Sequence, residues 1–261
     1  MKSFGRWVLW LLLAGAALQL FFVLRVALMV VVNPHSTAFM RSEAWRIAGA
    51  SLGSEKEGRW SHQWVDYDQI SPHLKRAVMA SEDAGFVTHG GVDWGAIEAA
   101  WKKNEKRQEL ADKRAEQIER RLAKKPEAAE AAVKAIKPAK VVGGSTITQQ
   151  LAKNLLLSGE RNLLRKGEEL LLTLTLEALL SKQRILEIYL NSVEWGEGVF
   201  GAEAAAQRYF KKSAAQLSPH EAARLAVMLP SPKFFENRQN SAYLARRTGT
   251  IVARMGAVNA P

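Results

Sequence analysis

The sequence contains no cysteine. Disulfides and thiolate metal sites are therefore excluded, and the chain can occupy an oxidising compartment with nothing to mispair. It has no run of alternating apolar and polar residues that would signal an extended sheet, and no segment recurs at a fixed period. Acidic residues are in deficit, with 26 Asp and Glu against 37 Lys and Arg, for a net charge of +11. That balance calls for an anionic partner: nucleic acid, a lipid surface or a phosphorylated substrate. A length of 261 residues with 48% hydrophobic content is enough for a good core in one or two domains.

One long apolar run narrows the choice of partner. From Trp7 to Val32 only Gln19 and Arg25 interrupt it. As a helix those residues would span about 39 Å, against roughly 30 Å of bilayer hydrocarbon. Lys2 and Arg6 precede the run, which predicts a cytoplasmic N-terminus and an exported body. A cleaved signal peptide is the alternative. Against it, the apolar stretch is long for that role, and Ala14-Gly15-Ala16 falls inside the run rather than after it. Beside a membrane, lipid replaces nucleic acid as the expected anionic partner.

Asn33-Pro34 is expected to end the anchor. The chain then divides into residues 1–32 (cytoplasmic tail and transmembrane anchor), 33–64 (a juxtamembrane or jaw segment, or a plain linker) and 65–261. The last part reads as mainly α-helical. "SPHLKRAVMASED" opens on a Ser71 cap and Pro72, and "VVGGSTITQQLAKNLLL" on a glycine turn with Ser145 or Thr146 as cap. "RKGEELLLTLTLEALLSKQRILEIYLN" predicts one or two largely buried helices, and "SPHEAARLAVMLPSP" repeats the Ser-Pro start. Residues 101–140 stand apart, with thirteen basic residues, seven acidic ones and much alanine. They read as a solvated insertion, either an exposed helical excursion or disordered, with a basic arm on anionic headgroups as the other reading.

Three clusters carry chemistry. In "SEDAGFVTHGGVDW", Glu82 follows an apolar helical row and lies close to Phe86 in sequence, where desolvation would raise a carboxylate toward useful acid/base values. Asp83 would point elsewhere, toward loop backbone, and His89 would bridge the turn. In "GGSTITQQLAKN", Gln149 adds an amide, while Gln150, Lys153 and Asn154 share a helix face suited to sugar hydroxyls and a phosphate. That face reads equally as ordinary solvent surface. Arg161, Arg165 and Lys166 place cations at a helix start, a site for phosphate or pyrophosphate. Glu169 follows at a polar/apolar border, and an Arg165–Glu169 helix pair is its plain alternative. Two carboxylates beside a phosphate site suggest glycosyl or phosphoryl transfer.

Taken in order, "EDAGFVTHGGVD", "GGSTITQQLAKN", "RKGEE", "KQRILEIYLN" and "GEGVFGAEAAAQRYF" resemble the motifs of the peptidoglycan glycosyltransferases, or transglycosylases. The resemblance covers roughly residues 65–235 and is strongest to the monofunctional biosynthetic type. No Ser-x-x-Lys occurs, so a penicillin-binding transpeptidase domain is not expected. The resemblance implies a lysozyme-like, mainly α-helical fold with head and small jaw lobes. It implies Glu82 as catalytic base, assisted by Glu169. Lys153, Arg161, Arg165 and Lys166 would take the phosphates, and Asp83, His89, Ser145, Gln149, Gln150 and Asn154 would line or brace the cleft. The implied reaction polymerises lipid II onto a growing lipid-linked strand by inverting transfer, with release of undecaprenyl pyrophosphate.

No cofactor is required on this reading, though a divalent cation, Mg2+ or Mn2+, would suit the leaving group. Membrane lipids and cell-division or elongation proteins are the remaining partners, and the inner membrane of a bacterium is the expected location, with the body periplasmic. Two departures from the family pattern stand out. Ala84-Gly85 replaces the long polar residue that many members carry after "ED", and the 101–140 insertion is long. A lysozyme-like hydrolase using Glu82 as general acid, and a silent membrane scaffold, are the competing readings.

Overall fold

The computed structural model describes residues 2–51, 59–122, 143–157 and 163–261, with isolated positions at 127, 132, 134 and 135. It separates into two compact units, Met1–Val92 with Thr146–Pro261, and Asp93–Ser145. Helices dominate both, as the capping and periodicity signals require.

In the larger unit, α1 (Lys2–Leu28) is the apolar run. Its stretch Ser3–Leu28 is long and apolar enough to cross a membrane. The helix stops a few residues before Asn33-Pro34, in a turn over Met29–Val32 closed by the Val32 amide donating to the Leu28 carbonyl (2.9 Å). Most of α1 is exposed, but Val26 and Met29 are buried in the main core. Gln19 is no mere interruption, because its amide donates to both carboxylate oxygens of Glu168 at 2.8 Å.

Residues 33–64 are not a plain linker. They hold α2 (Ala38–Ser51) and the two-residue strand β1 (Ser61–His62). The sequence predicted no extended sheet, and the sheet found is very small. β3 (Val199–Phe200) pairs in parallel with β1 and antiparallel with β2 (Glu194–Gly196), with Ser61 opposite Val199 and His62 opposite Phe200. Strands of two or three residues cannot produce an alternating pattern, so nothing in the sequence announces them. Beyond β1 the chain is stapled down by buried Asn191, whose side chain accepts from the Val65 amide and donates to the Val65 carbonyl, both at 2.9 Å.

The core is built around α3 (Pro72–Glu82), α5 (Ile147–Leu156), α6 (Leu163–Leu179) and α7 (Lys182–Ser192). It is closed by α8 (Ala202–Phe210), α9 (Pro219–Met228), α10 (Pro232–Glu236) and α11 (Ala242–Met255). α3 packs on α9 and α11, while α5 packs on α6 and α7. The rows read from sequence face inward: Leu74, Ala77 and Val78 of α3, and Ile147, Leu151 and Leu155 of α5, are fully buried. α6 departs from its expected burial. Leu172 and Leu176 enter the core, but Leu170, Leu171, Leu174 and Leu179 are exposed on the other face. An apolar helix with one uncovered side fits its position against α1. Arg184 of α7 closes the turn after α1, donating to the carbonyls of Met29 (2.8 Å) and Val32 (3.2 Å).

The smaller unit is dominated by α4 (Trp94–Arg121), capped by the Asp93 carboxylate accepting from the Ala96 amide at 2.8 Å. No residue of α4 is buried, and ion pairs such as Lys102–Glu98 (2.5 Å) and Lys113–Glu109 (2.6 Å) run along it. Over these residues the charged segment is an exposed helical excursion. Pro126 and Pro138 lie outside the described residues.

Candidate active site

The candidate site starts at the C-terminal end of α3. The Ser71 hydroxyl caps that helix by accepting from the His73 amide (3.2 Å), and Pro72 occupies its first turn. Burial of Leu74, Ala77 and Val78 then fixes its rotation, so the last turn delivers Glu82 half-buried. Gln150 on α5 donates from Nε2 to Glu82 Oε2 at 3.2 Å, and the Ser81 hydroxyl lies 3.3 Å from Oε1. Desolvation raises the Glu82 carboxyl above the ordinary carboxylate range, opposed by the Gln150 and Ser81 hydrogen bonds and by the charge of Arg247 on α11. A carboxylate so placed is suited to accept a proton from a substrate hydroxyl.

Asp83 turns the other way, and it holds structure together. Buried beside Glu82, its Oδ2 accepts from the Ile147 amide at 3.0 Å, the first helical residue of α5. That is a carboxylate at a helix N-terminus, favoured by the unpaired amides there. His89 Nε2 meets Asp83 Oδ1 at 2.9 Å, while the Gly91 amide donates to His89 Nδ1 at 3.2 Å. Since Nδ1 accepts, Nε2 carries the proton and donates to Asp83. Gly91 itself has φ +89°, and a Cβ there would run into the Thr173 and Glu177 side chains of α6.

The same turn is locked from two more directions. The Thr146 hydroxyl donates to the Gly91 carbonyl at 2.6 Å, and Lys182 Nζ donates to the His89 carbonyl at 2.7 Å while lying 4.6 Å over the Phe86 ring. Lys182 also pairs with Glu177 at 2.8 Å, which accepts from Thr148 at 2.5 Å. Gln149, read from the sequence as a cleft residue, is buried and committed locally. Its Oε1 accepts from the Thr146 amide (3.0 Å) while Thr146 Oγ1 accepts from its own amide (3.1 Å), a capping box. Between the candidates on offer, Thr146 and not Ser145 is the cap. Ser145 belongs to the smaller unit.

A second cluster lies on α6. Glu169 is buried and held by Lys166 and by Arg165 (3.5 Å), so the helix pair read as the plain alternative is formed. Lys153 is exposed and Asn154 half-exposed on α5. Arg161 lies outside the described residues. Sequence reasoning passed over Ser81, Lys182, Tyr189 and Arg247. Tyr189 sits in an apolar helical row and looks like core, and Arg247 falls beyond the last quoted motif. Among the described residues no three histidine or carboxylate side chains gather as a metal site.

The transglycosylase family model matches residues 49–115 and 123–256, which spans every described element of this geometry beyond α1 and its turn apart from the first part of α2 and the end of α4. The chain belongs to the transglycosylase family. This transglycosylase is 47% identical over 99% of its length, and 94% of the relative's, to the biosynthetic peptidoglycan transglycosylase of Burkholderia orbicola (strain MC0-3). It is 46% identical to that of Burkholderia pseudomallei (strain K96243), covering all of this chain and 90% of the other. The protein of that name from Paraburkholderia xenovorans (strain LB400) is 45% identical over 98% and 94% of the two chains. The fold of the transglycosylase is accordingly of the mainly α-helical, lysozyme-like kind.

Proposed function

We propose that this transglycosylase polymerises lipid II into linear glycan strands, with Glu82 as the general base. The observation that carries the reading is the Glu82 carboxylate itself, desolvated at the end of α3 yet oriented by Gln150. Glu82 takes the proton of the acceptor sugar's 4-hydroxyl as that oxygen attacks the anomeric carbon of the lipid-linked donor. A β-1,4 bond forms as the bond to pyrophosphate breaks, with inversion, and undecaprenyl pyrophosphate leaves with the negative charge. Lys153, Arg161, Arg165 and Lys166 stabilise that charge. Glu169, already paired with Arg165 and Lys166, orients those cations. Ser145, Gln150 and Asn154 contact sugar or phosphate, and Asp83, His89 and Gln149 hold the backbone that carries them.

No step of this reaction requires a divalent cation, though Mg2+ or Mn2+ would suit the leaving pyrophosphate. Residues 1–32 serve as a single-pass anchor in the bacterial inner membrane, N-terminus cytoplasmic, which puts the domain over residues 65–261 on the periplasmic side, where lipid-linked substrates meet it. Residues 33–64 belong to the membrane-side lobe, and 101–140 form a charged insertion.

The test is polymerisation of labelled lipid II by purified protein in detergent, wild type against Glu82→Gln. The reading expects lysozyme-sensitive strands from wild type and none from the variant. Equal activity of the two would remove Glu82 as base. Cleavage of preformed glycan with no polymerisation would replace the reading with a hydrolase.

A further inference from the structure

Tyr189 is among the largest fully buried side chains of the described residues, on α7, and among those residues its hydroxyl has one polar contact: it donates to Gln150 Oε1 at 2.9 Å. The other end of the same amide, Nε2, donates to Glu82 Oε2 at 3.2 Å. Three residues from three helices thus form one chain, Tyr189 to Gln150 to Glu82. We infer that Tyr189 is a positioning residue that fixes the orientation of the Gln150 amide and, through it, the charge state and direction of the Glu82 carboxylate. The inference rests on the assignment of Glu82 as base.

Donors and acceptors set the orientation of the amide. A phenol donates one proton, and a primary amide has an acceptor end and a donor end that differ by a half-turn. With the Tyr189 proton on Oε1, the NH2 group must face Glu82, and a donor facing a carboxylate favours its ionised form. Burial pushes the Tyr189 hydroxyl well above its ordinary value, so it remains a donor throughout the working range. Without that hydroxyl, Oε1 is left buried and unpaired, which is costly. The amide is then no longer held in one orientation, and in the turned one Oε1 accepts a proton from a protonated Glu82. Loss of one hydroxyl therefore favours the form of Glu82 that cannot act as base.

The other groups facing Glu82 do not supply this control. Asp83 on the same turn is committed to Ile147 and His89. Arg247 on α11 contributes charge at longer range without a hydrogen bond to Glu82 among the described residues. From α9 the contribution is the Ala226 carbonyl, 3.4 Å from Ser81 Oγ, which competes with Glu82 for that hydroxyl's single proton.

The experiment is a pH–rate profile of lipid II polymerisation for wild type, Tyr189→Phe, Gln150→Met and the double variant, with Glu82→Gln as reference and a thermal melt of each. For Tyr189→Phe the expected result is a fall in kcat of about threefold on the acid limb, the most that a half-unit shift produces. The acid limb should move up by about half a pH unit or more, so that activity recovers at higher pH. In the Gln150→Met background the added Tyr189→Phe change should leave the limb where it is, because the amide that transmits it is gone. A merely structural hydroxyl would lower the melting temperature without moving the limb, or would act equally in both backgrounds, and either outcome overturns the inference. If Glu82→Gln proves active, the base assignment fails and the inference fails with it. If Glu82→Gln is silent and the Tyr189→Phe limb is unmoved, only the positioning role is lost.

Discussion

The Ile147 amide donates to Asp83 Oδ2 at 3.0 Å, joining two motifs that lie 64 positions apart. This one bond seats the N-terminus of α5 on the end of α3 and so sets where Gln150 stands relative to Glu82. Asp83→Ala removes the acceptor of the Ile147 amide and of His89 together, leaving buried donors unpaired. The expected loss is about 2–4 kcal/mol of stability, with polymerisation reduced further than the stability loss explains. Asp83→Asn should fall between, since its oxygen can keep Ile147 while its NH2 opposes the His89 donor. Thermal denaturation beside strand-synthesis assays checks both, and an Asp83→Ala protein with wild-type stability would refute the role.

Gly91→Ala should be among the costly single-methyl changes. The backbone there has φ +89°, and the new carbon would meet Thr173 Cγ2 and Glu177 Cγ at 2.8 and 2.7 Å. A strained φ alone costs about 1–3 kcal/mol, and displacing Glu177 also disturbs Lys182. Gly90→Ala, with open space around it, is the control and should be near neutral. Comparable melting temperatures for the two variants would contradict this.

Glu194 predicts a pH signature unrelated to catalysis. It is buried near Lys233 (3.5 Å), and desolvation pushes its carboxyl up to about 7 from an ordinary 4.5. A carboxyl raised on folding binds its proton more tightly in the native state. Its stabilising contribution is therefore full below about pH 4.5 and is lost as pH rises through 7. Glu194→Gln keeps the neutral form at every pH. The melting temperature of Glu194→Gln minus that of wild type should grow between pH 5 and 8, by about 2–4 °C for each kcal/mol. A difference that stays flat with pH would exclude the linkage.

Gln19 is the one side-chain amide in the apolar helix α1, and its bonds to Glu168 tie α1 to α6. Gln19→Leu should destabilise the detergent-solubilised protein by about 1–2 kcal/mol, despite making α1 more apolar. Gln19→Glu, facing Glu168, should be worse. Melts in mild detergent decide it, and a more stable Gln19→Leu would show the tie to be idle.

The helix starts were legible in the sequence because Ser71 and Ser218 precede proline and Thr146 follows a glycine turn, each a local signal read by local rules. The role of Gln149 was legible too, as the fourth residue of Thr-x-x-Gln, but its polarity drew it toward the cleft instead. Tyr189 could not be read, since a buried phenol in an apolar row is indistinguishable from a packing residue until the amide beneath it is located. The pairing of Ser61 with Val199 is equally silent, because contacts at such separation leave no periodic trace in two residues. The exposed leucines of α6 show the reverse case, a strong apolar signal that predicted burial where the larger unit leaves one face open.

The grip of Arg184 on the Met29 and Val32 carbonyls has a mechanical meaning. With Val26 and Met29 sunk in the same core, no slack tether separates α1 from the rest of the larger unit. A pull on that unit is delivered as torque to α1 itself. Within that unit α1 and the packed helices must turn together, and α1 cannot twist on a leash.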